Sequence, residues 1–131
     1  MSITGADIIA VAGELIKIDN EASYRSCISR SYYGMYHETL GNCTCVPVFS
    51  GSHHSGLIGY LTTPSEHKME SYDSRKLKSI GYFLRQQRDA RNEADYHLTD
   101  VTVSKAMAET SLAAAQLLLG KWEEIKTPKA S

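Results

Sequence analysis

The sequence predicts an all-α protein, folded as an antiparallel bundle of four to five helices. Apolar residues recur at helical spacing along most of the chain, and no long stretch alternates apolar and polar residues as a strand does. The three prolines, Pro47, Pro64 and Pro128, lie where the apolar pattern stops, as expected of a residue that breaks helices. The 131 residues fit a single domain, 1–131, in which only residues 43–49 remain open to a short strand.

Two helices are predicted before the first proline. Thr4 and Asp7 have the spacing of a capping box, so the first helix is expected over about 5–18. Asn20 is a good N-cap for the second helix, which is expected to end at about 41–42. The buried stripe predicted for this helix consists of Tyr24, Ile28, Ser31, Tyr32 and Met35.

The segment 43–72 departs from the bundle pattern. Residues 43–52 contain proline, glycine and serine and are expected to form a loop. A short helix is predicted over 53–62, although two glycines lower its helix propensity. A second loop is expected over 64–71, which would leave His67 solvated.

Two long helices are predicted after this segment. The first begins near Asp73 and continues to a break at about 99–100, and the last is capped by Asp100 or Thr102. The apolar face predicted for the last helix consists of Ala106, Thr110, Ala113, Ala114, Leu117, Leu118 and Ile125. The tail 127–131 is expected to be frayed.

The composition limits the classes of function. Fourteen basic and fifteen acidic residues give a formal net charge of −1, which argues against a protein that coats nucleic acid through bulk positive charge. No apolar run approaches the roughly 18 residues of a membrane span, and the N-terminus lacks the basic start of a secretory signal. Three cysteines cannot form a complete disulfide framework, so we expect a protein of the reducing cytoplasm that does not enter a membrane.

Two cysteines and two histidines in the 43–72 segment raise the question of zinc. Cys43 and Cys45 are separated by one residue, whereas common structural zinc sites have two to four residues between their cysteines. His53 and His54 follow in the same glycine-containing region. We therefore predict no metal and no cofactor.

An arginine interrupts the apolar stripe of the first long helix. Four residues of this helix stand seven apart: Leu77, Leu84, Arg91 and Leu98. The charged run RQQRDARNEADYH at 85–97 is most simply a solvated helix face, with Arg91 and Asp95 paired at i,i+4. That interpretation does not explain an arginine at a position that the pattern marks as buried or interfacial. A buried arginine must be paired, or it must face a cleft or a partner.

Two segments resemble the HEPN superfamily. Arg91-Asn92, four further residues and His97 match the R-x(4–6)-H motif of that family, with five residues between arginine and histidine. Upstream, SRSYYGMYHETL at 29–40 is similar to the second-helix segment of HEPN domains, in which S-R-x-Y-Y precedes a small residue and an aromatic residue. The helix order and the alanine-rich last helix also resemble the family, so an HEPN-like bundle is the implied fold.

The resemblance implies a metal-independent endoribonuclease that acts on RNA as a homodimer, with the motifs of both chains in one cleft. Arg91 would then bind the scissile phosphate, and His97 would act as general base or acid. Asn92 would orient one of these groups. The residue types suit the chemistry, because arginine offers a planar charged fork to phosphate oxygens and histidine titrates near neutral pH. RNA supplies its own nucleophile, the 2′-hydroxyl.

Five further residues are candidates for substrate binding: Arg30, Tyr33, His37, Arg88 and Tyr96. The first three are spaced i, i+3, i+7 and share one helix face, where they either line the cleft or belong to the core. Arg88, one turn before the motif arginine, either holds a second phosphate or faces solvent. Tyr96 is the neighbour of the motif histidine.

The resemblance also suggests a biological role, as the toxin of a toxin–antitoxin or phage-defence system. In some HEPN toxins a nucleotidyltransferase-type antitoxin modifies a tyrosine two residues after the histidine, and that position is Thr99 in this chain. Such an antitoxin is a candidate partner through the family resemblance alone, since the tyrosine of this chain, Tyr96, precedes the histidine. Two alternatives remain, a non-catalytic HEPN module that binds nucleotide or protein, and a purely structural helical dimer.

An ideal helix does not bring the two motif residues together. Six residues turn the helix by about 600°, which leaves His97 about 120° away from Arg91 around the axis. Either the helix loosens before His97, or the cleft takes its groups from both chains of a two-fold dimer.

Overall fold

The computed structural model describes residues 2–126, which form six α-helices and no strand. The helices are α1 (Gly5–Ile16), α2 (Glu21–Asn42), α3 (His53–Thr62), α4 (Pro64–His67), α5 (Ser74–Tyr96) and α6 (Lys105–Lys126). The all-α prediction is confirmed, and the strand considered for residues 43–49 is not formed. The tail 127–131 lies outside the described residues. None of the described helices has the length and apolarity needed to cross a membrane.

Helix α2 is the centre of the bundle and packs against α1, α5 and α6. It is antiparallel to α1 and α5, whereas α6 lies parallel to it. The buried Trp122 of α6 donates from its Nε1 to the Thr39 Oγ1 of α2 at 3.2 Å, and its ring meets Tyr72 edge to face. This indole therefore has both an apolar environment and a hydrogen-bond partner, as a buried tryptophan requires.

Helices α1 and α2 approach so closely that their backbones touch. A Cβ on Gly34 would lie 2.9 Å from the carbonyl oxygen of Gly5, and a Cβ on Gly5 would lie 2.7 Å from the amide nitrogen of Glu38. Any side chain at either glycine would overlap with the facing helix, so the crossing requires glycine at both positions. The small residue after Tyr33 in the second-helix segment thus has a packing role.

Local capping rules predicted the starts of three helices correctly. The Thr4 hydroxyl accepts from the Asp7 amide at 3.2 Å, and the Asp7 carboxylate accepts from the Thr4 amide at 2.8 Å. Asn20 caps α2, and Asp73 caps α5 by accepting from the Lys76 amide at 3.3 Å. In each of these caps, the side chain and the amide from which it accepts lie three residues apart in the sequence, so the cap does not depend on tertiary structure.

The predictions at the junction of α5 and α6 are wrong. Neither Asp100 nor Thr102 caps α6; the Ser104 hydroxyl does, by accepting from the Met107 amide at 3.3 Å. The buried face of α6 is rotated relative to the predicted one and consists of Ala108, Ser111, Ala115, Leu118 and Trp122. Leu98 is 68% exposed because α5 ends before it, so it does not continue the apolar stripe.

The expected loop over 64–71 contains α4, and His67 is buried instead of solvated. Its Nδ1 lies 3.1 Å from the Tyr60 carbonyl oxygen, and its Nε2 lies 2.7 Å from the Ser74 hydroxyl. Burial of this imidazole is tolerated because both nitrogens have partners. The prediction of a solvated histidine was wrong because these partners lie seven residues away on either side.

A buried carboxylate holds the 43–52 segment against the helices. Glu70 accepts from the backbone amides of Thr44 and Cys45 at 2.9 Å and from the Tyr60 hydroxyl at 2.5 Å. Burial opposes ionisation of Glu70, but these hydrogen bonds outweigh it and lower its pKa. Residues 2–126 contain no group of three or more His, Cys, Asp and Glu side chains that could hold a metal ion.

Candidate functional site

Helices α2, α3 and α5 meet around one group of polar and aromatic side chains, which we call the Arg91 cluster. It consists of Ser29, Arg30, Tyr32, Tyr33, Tyr36, His37, His54, Arg88, Arg91, Asp95 and Tyr96. Because α2 and α5 are antiparallel, residues of the two helices pair in reverse order along the cluster. Helix α3 joins it through Ser55, whose hydroxyl accepts from Arg88 Nη1 at 2.8 Å.

Arg91 is held between two tyrosines and one carboxylate. Its Nη2 donates to the Tyr33 hydroxyl at 2.9 Å. Its guanidinium carbon lies 5.1 Å from the ring centroid of Tyr33 and 5.4 Å from that of Tyr96, within range of a cation–π contact. Asp95 Oδ2 lies 2.9 Å from Nε and accepts from the Ser29 hydroxyl at 3.1 Å. The i,i+4 ion pair expected from the sequence is therefore present.

Some N–H groups of the Arg91 guanidinium nevertheless have no hydrogen-bond acceptor in residues 2–126. Its Nε is buried, but the N–H is not aligned with the Asp95 oxygen, so this contact is an ion pair without a hydrogen bond. Nη1 has only a 3.3 Å bond to Asn92 Oδ1. A guanidinium carries five N–H groups, so Arg91 retains donors that no group in residues 2–126 accepts.

The candidates from the second helix adjoin Arg91. The guanidinium carbon of Arg30 lies 4.5 Å from the Tyr33 ring centroid, and the His37 ring stacks on Tyr33 with 6.4 Å between centroids. The structure thus places all three beside the motif arginine. Their part in substrate binding, like that of Arg88 and Tyr96, stays a prediction.

His97, the other motif residue, hydrogen-bonds to Asp100 and not to Arg91. It is the C-cap of α5, with φ −106° and ψ 69°, so the helix does loosen before it. Its half-exposed imidazole places Nδ1 3.0 Å from Asp100 Oδ2, a hydrogen bond that lowers the pKa of Asp100. Within residues 2–126, no hydrogen bond or ring contact joins His97 to Arg91. Within one chain, the two motif residues are therefore not joined by a direct contact between residues 2–126.

A buried arginine that the sequence analysis missed fixes the backbone at this end of α5. Arg25 Nη1 donates, at 2.9–3.3 Å, to the carbonyl oxygens of Glu93, Ala94 and His97. Its Nη2 donates to the Val101 carbonyl and, at 2.9 Å, to Glu21, which also accepts from the Val103 amide at 3.0 Å. The last carbonyls of a helix lack partners within it, so Arg25 acts as a cap from the neighbouring helix.

His54 is the second residue that the sequence analysis missed, since it was considered only as a zinc ligand. Its Nδ1 lies 3.0 Å from the Tyr32 hydroxyl, and its ring centroid lies 4.3 Å from that of Tyr36. Partial burial and the positive charges of Arg91 and Arg88 lower the pKa of His54. Burial raises the pKa of Tyr32 to about 12, so its hydroxyl keeps its proton at neutral pH.

Positive charge outweighs negative charge in the cluster. Three arginines, Arg30, Arg88 and Arg91, stand against one carboxylate, Asp95, which leaves two positive charges unbalanced when the histidines are neutral. No other carboxylate in residues 2–126 forms an ion pair with these arginines. The whole chain carries a formal charge of −1, so the cluster is a local concentration of positive charge suited to an anion.

The comparisons with known proteins give no family assignment. No family model matches this chain, and neither the curated proteins nor the solved structures provide a match. The function is therefore argued from the Arg91 cluster and from the motif.

Proposed function

We propose that this protein is a metal-independent endoribonuclease of the HEPN type, which acts as a two-fold homodimer. The observation that carries the proposal is the Arg91 guanidinium, which Tyr33 and Asp95 hold in place while several of its N–H groups stay unpaired. A positioned charged fork with available donors suits the non-bridging oxygens of a phosphodiester. The spacing of Arg91, Asn92 and His97 supports the same assignment.

The proposed chemistry is attack by the 2′-hydroxyl of RNA on the adjacent phosphorus. A base takes the 2′-hydroxyl proton, the 2′-oxygen bonds to phosphorus, and the bond to the 5′-oxygen breaks as that oxygen receives a proton from an acid. The products are a 2′,3′-cyclic phosphate and a 5′-hydroxyl. Arg91 stabilises the charge on the phosphate oxygens, His97 serves as base or acid, and Asn92 orients one of them.

Aromatic and basic side chains around Arg91 support binding of single-stranded RNA. Tyr96 exposes 68% of its surface, and Tyr33 and His37 stack on each other beside it in the same cluster. Bases stack on such rings with little dependence on sequence, while arginines follow the phosphates. In this proposal Arg30 and Arg88 hold flanking phosphates.

The exposed end of α5 supports a dimer contact at this site. Leu98 is as exposed as Tyr96, and the two residues flank His97. A two-fold contact through Leu98 would cover this apolar side chain and bring His97 of one chain towards Arg91 of the other. The dimer therefore supplies what one chain leaves incomplete.

The HEPN resemblance suggests the toxin of a toxin–antitoxin or phage-defence system as the biological setting, in the cytoplasm and with a nucleotidyltransferase-type antitoxin as partner. The second candidate function is a non-catalytic module that binds nucleotide or protein through the same cluster. The hydrogen bond between His97 and Asp100 favours it, because this bond occupies one imidazole nitrogen away from Arg91.

The first test of the proposed function is RNA cleavage in the presence of EDTA. We expect the purified protein to cut single-stranded RNA and to leave 2′,3′-cyclic phosphate ends. Activity that disappears with the chelator and returns with a divalent ion would contradict the mechanism. Sedimentation as a monomer at the assay concentration would contradict the dimer.

The second test compares variants of the two motif residues. We expect His97→Ala to lose roughly 10²–10⁴-fold in rate and Arg91→Lys to lose about 10²–10³-fold, because lysine keeps the charge but not the fork. The double variant should be far less impaired than the product of the single losses, since both residues act on one transition state. Arg85→Lys, in an exposed arginine of the same helix, is the matched control. Folded, dimeric variants that cut at the parent rate would show that the cleavage does not come from Arg91 and His97, which would leave the binding module as the function of this cluster.

A further inference from the structure

The segment that departs from the bundle brings a histidine into the Arg91 cluster. His54, near the start of α3, has its Nδ1 bonded to the Tyr32 hydroxyl, whereas its Nε2 has no hydrogen-bond partner in residues 2–126. Tyr36 and Tyr33 hold the ring, with 4.3 and 5.8 Å between centroids. One imidazole nitrogen is thus anchored and the other is available to a ligand.

The neighbour of His54 ties this end of α3 to the arginines of α5. The Ser55 hydroxyl accepts from Arg88, which forms no ion pair with any carboxylate of residues 2–126. Arg91 follows one turn later on the same helix face. Two guanidinium groups with unused donors therefore lie near the His54 imidazole, close enough for their positive charges to lower its pKa.

We propose that His54 is a catalytic residue, the general base that takes the 2′-hydroxyl proton of an RNA whose phosphodiester is held by Arg88 and Arg91. The inference rests on the proposed ribonuclease and assigns His97 the opposite role. The 2′-proton moves to His54 Nε2, the 2′-oxygen bonds to phosphorus, the 5′-oxygen leaves, and protonated His97 gives that oxygen a proton. Exchange with water then restores both histidines.

The surroundings of His54 suit a base at neutral pH. The titratable and charged groups that face it are Tyr32, Tyr33, Tyr36 and His37 of α2, Arg88 and Arg91 of α5, and His53 of its own helix. Partial burial and the positive members of this set lower its pKa, so the imidazole is neutral and can accept a proton. The base role requires the tautomer in which Nδ1–H donates to the Tyr32 oxygen, because only that tautomer leaves the lone pair on Nε2.

The first measurement uses the parent protein and a 2′-deoxy dinucleotide, which presents a phosphodiester but cannot be cleaved. The Cε1–H nuclear magnetic resonance signal of His54 is assigned by its absence in His54→Asn. We expect this signal to shift as the dinucleotide is added. The pKa of His54 should rise because the bound phosphate adds negative charge. The buried His67 should keep its signal and serves as the internal reference. An unchanged His54 signal up to the solubility limit of the dinucleotide would overturn the proposal.

The second measurement is the pH dependence of RNA cleavage by His54→Asn. Asparagine places an amide near the position of Nδ1, so the bond to Tyr32 and the fold are retained while the base is removed. We expect a rate loss of roughly 10²–10⁴-fold, with little change in KM, and loss of the acidic limb of the kcat/KM profile. His53→Ala, in the exposed neighbouring histidine, should keep the parent rate at the pH optimum, with only a small shift of the acidic limb to higher pH, because His53 contributes to lowering the pKa of His54.

The two measurements separate the possible failures. A parent that does not cut RNA removes both the ribonuclease proposal and the base role of His54. An active parent with an equally active, folded His54→Asn removes only the base role.

Discussion

Arg25 and Arg91 have nearly equal burial but differ in what they leave unbonded. Their side chains are 10% and 12% exposed, and each lies beside a carboxylate four residues away. All three nitrogens of Arg25 donate, to the Glu21 carboxylate and to four backbone carbonyls. Arg91 makes two hydrogen bonds, one of them long, and its Nε makes none.

The difference is the one that we expect between a structural arginine and an arginine that binds a ligand, as proposed for Arg91. A charged group whose donors are all accepted stabilises the fold, whereas buried donors without acceptors cost stability. Unpaired donors beside aromatic rings and unbalanced positive charge are what we expect of a site that binds an anion. The number of N–H groups that have acceptors therefore says more about the role of a buried arginine than its exposed fraction does.

The comparison of Arg25 with Arg91 predicts its largest effect on the free energy of unfolding. We expect Arg25→Lys to lower the free energy of unfolding by about 3 kcal/mol or more, since each hydrogen bond to a charged group contributes roughly 1.5–3 kcal/mol and lysine cannot replace them all. Arg91→Lys should cost at most about 1 kcal/mol. Urea unfolding followed by the fluorescence of the buried Trp122 measures both. Equal losses of unfolding free energy would show that the two arginines contribute equally to the stability of the fold.

The partner of Arg25 should make stability depend on pH. The Val103 amide and Arg25 lower the pKa of Glu21 below its ordinary value of 4.5. The unfolded chain therefore binds this proton more readily, so stability present above about pH 4.5 falls as the pH drops towards the folded pKa. Glu21→Gln should flatten this part of the curve of stability against pH. A curve identical to that of the parent would show that the ionised carboxylate contributes nothing.

The smallest effect concerns the carboxylate that pairs with Arg91. Because the ion pair is partly exposed and lacks hydrogen-bond alignment, we expect Asp95→Asn to change the free energy of unfolding by less than about 1 kcal/mol. The substitution leaves a third positive charge unbalanced, so the 2′-deoxy dinucleotide should bind more tightly, most clearly at low salt. Weaker binding would mean that Asp95 holds Arg91 in its binding geometry.

The sequence predicted what short-range rules control. Thr4, Asn20 and Asp73 start helices through bonds to residues three positions away, and these starts were correct. The burial of His67 depends on tertiary contacts, and the prediction for it was wrong. The segment 43–49, for which a strand was the alternative, is held instead by Glu70 from beyond α3, which accepts from the amides of Thr44 and Cys45.

The candidate site was predictable only in part, for the same reason. Arg91 was found because it interrupts an apolar stripe. Arg25 gave the same signal, with Ile28 and Tyr32 at i+3 and i+7, and was overlooked. No spacing in the sequence relates His54 to Arg91, since the packing of α3 against α5 brings them together.

The glycine crossing of α1 and α2 has a consequence for ligand binding. Gly34 directly follows Tyr33, whose hydroxyl holds Arg91, and the backbone at Gly34 rests against the backbone at Gly5 without side chains between them. A displacement of α2 at this point would force main chain into main chain, whereas side chains could yield by changing rotamer. The main chain of α1 thus supports the part of α2 that carries Tyr33, so we expect a ligand at Arg91 to bind with little rearrangement of α2 and little loss of conformational entropy.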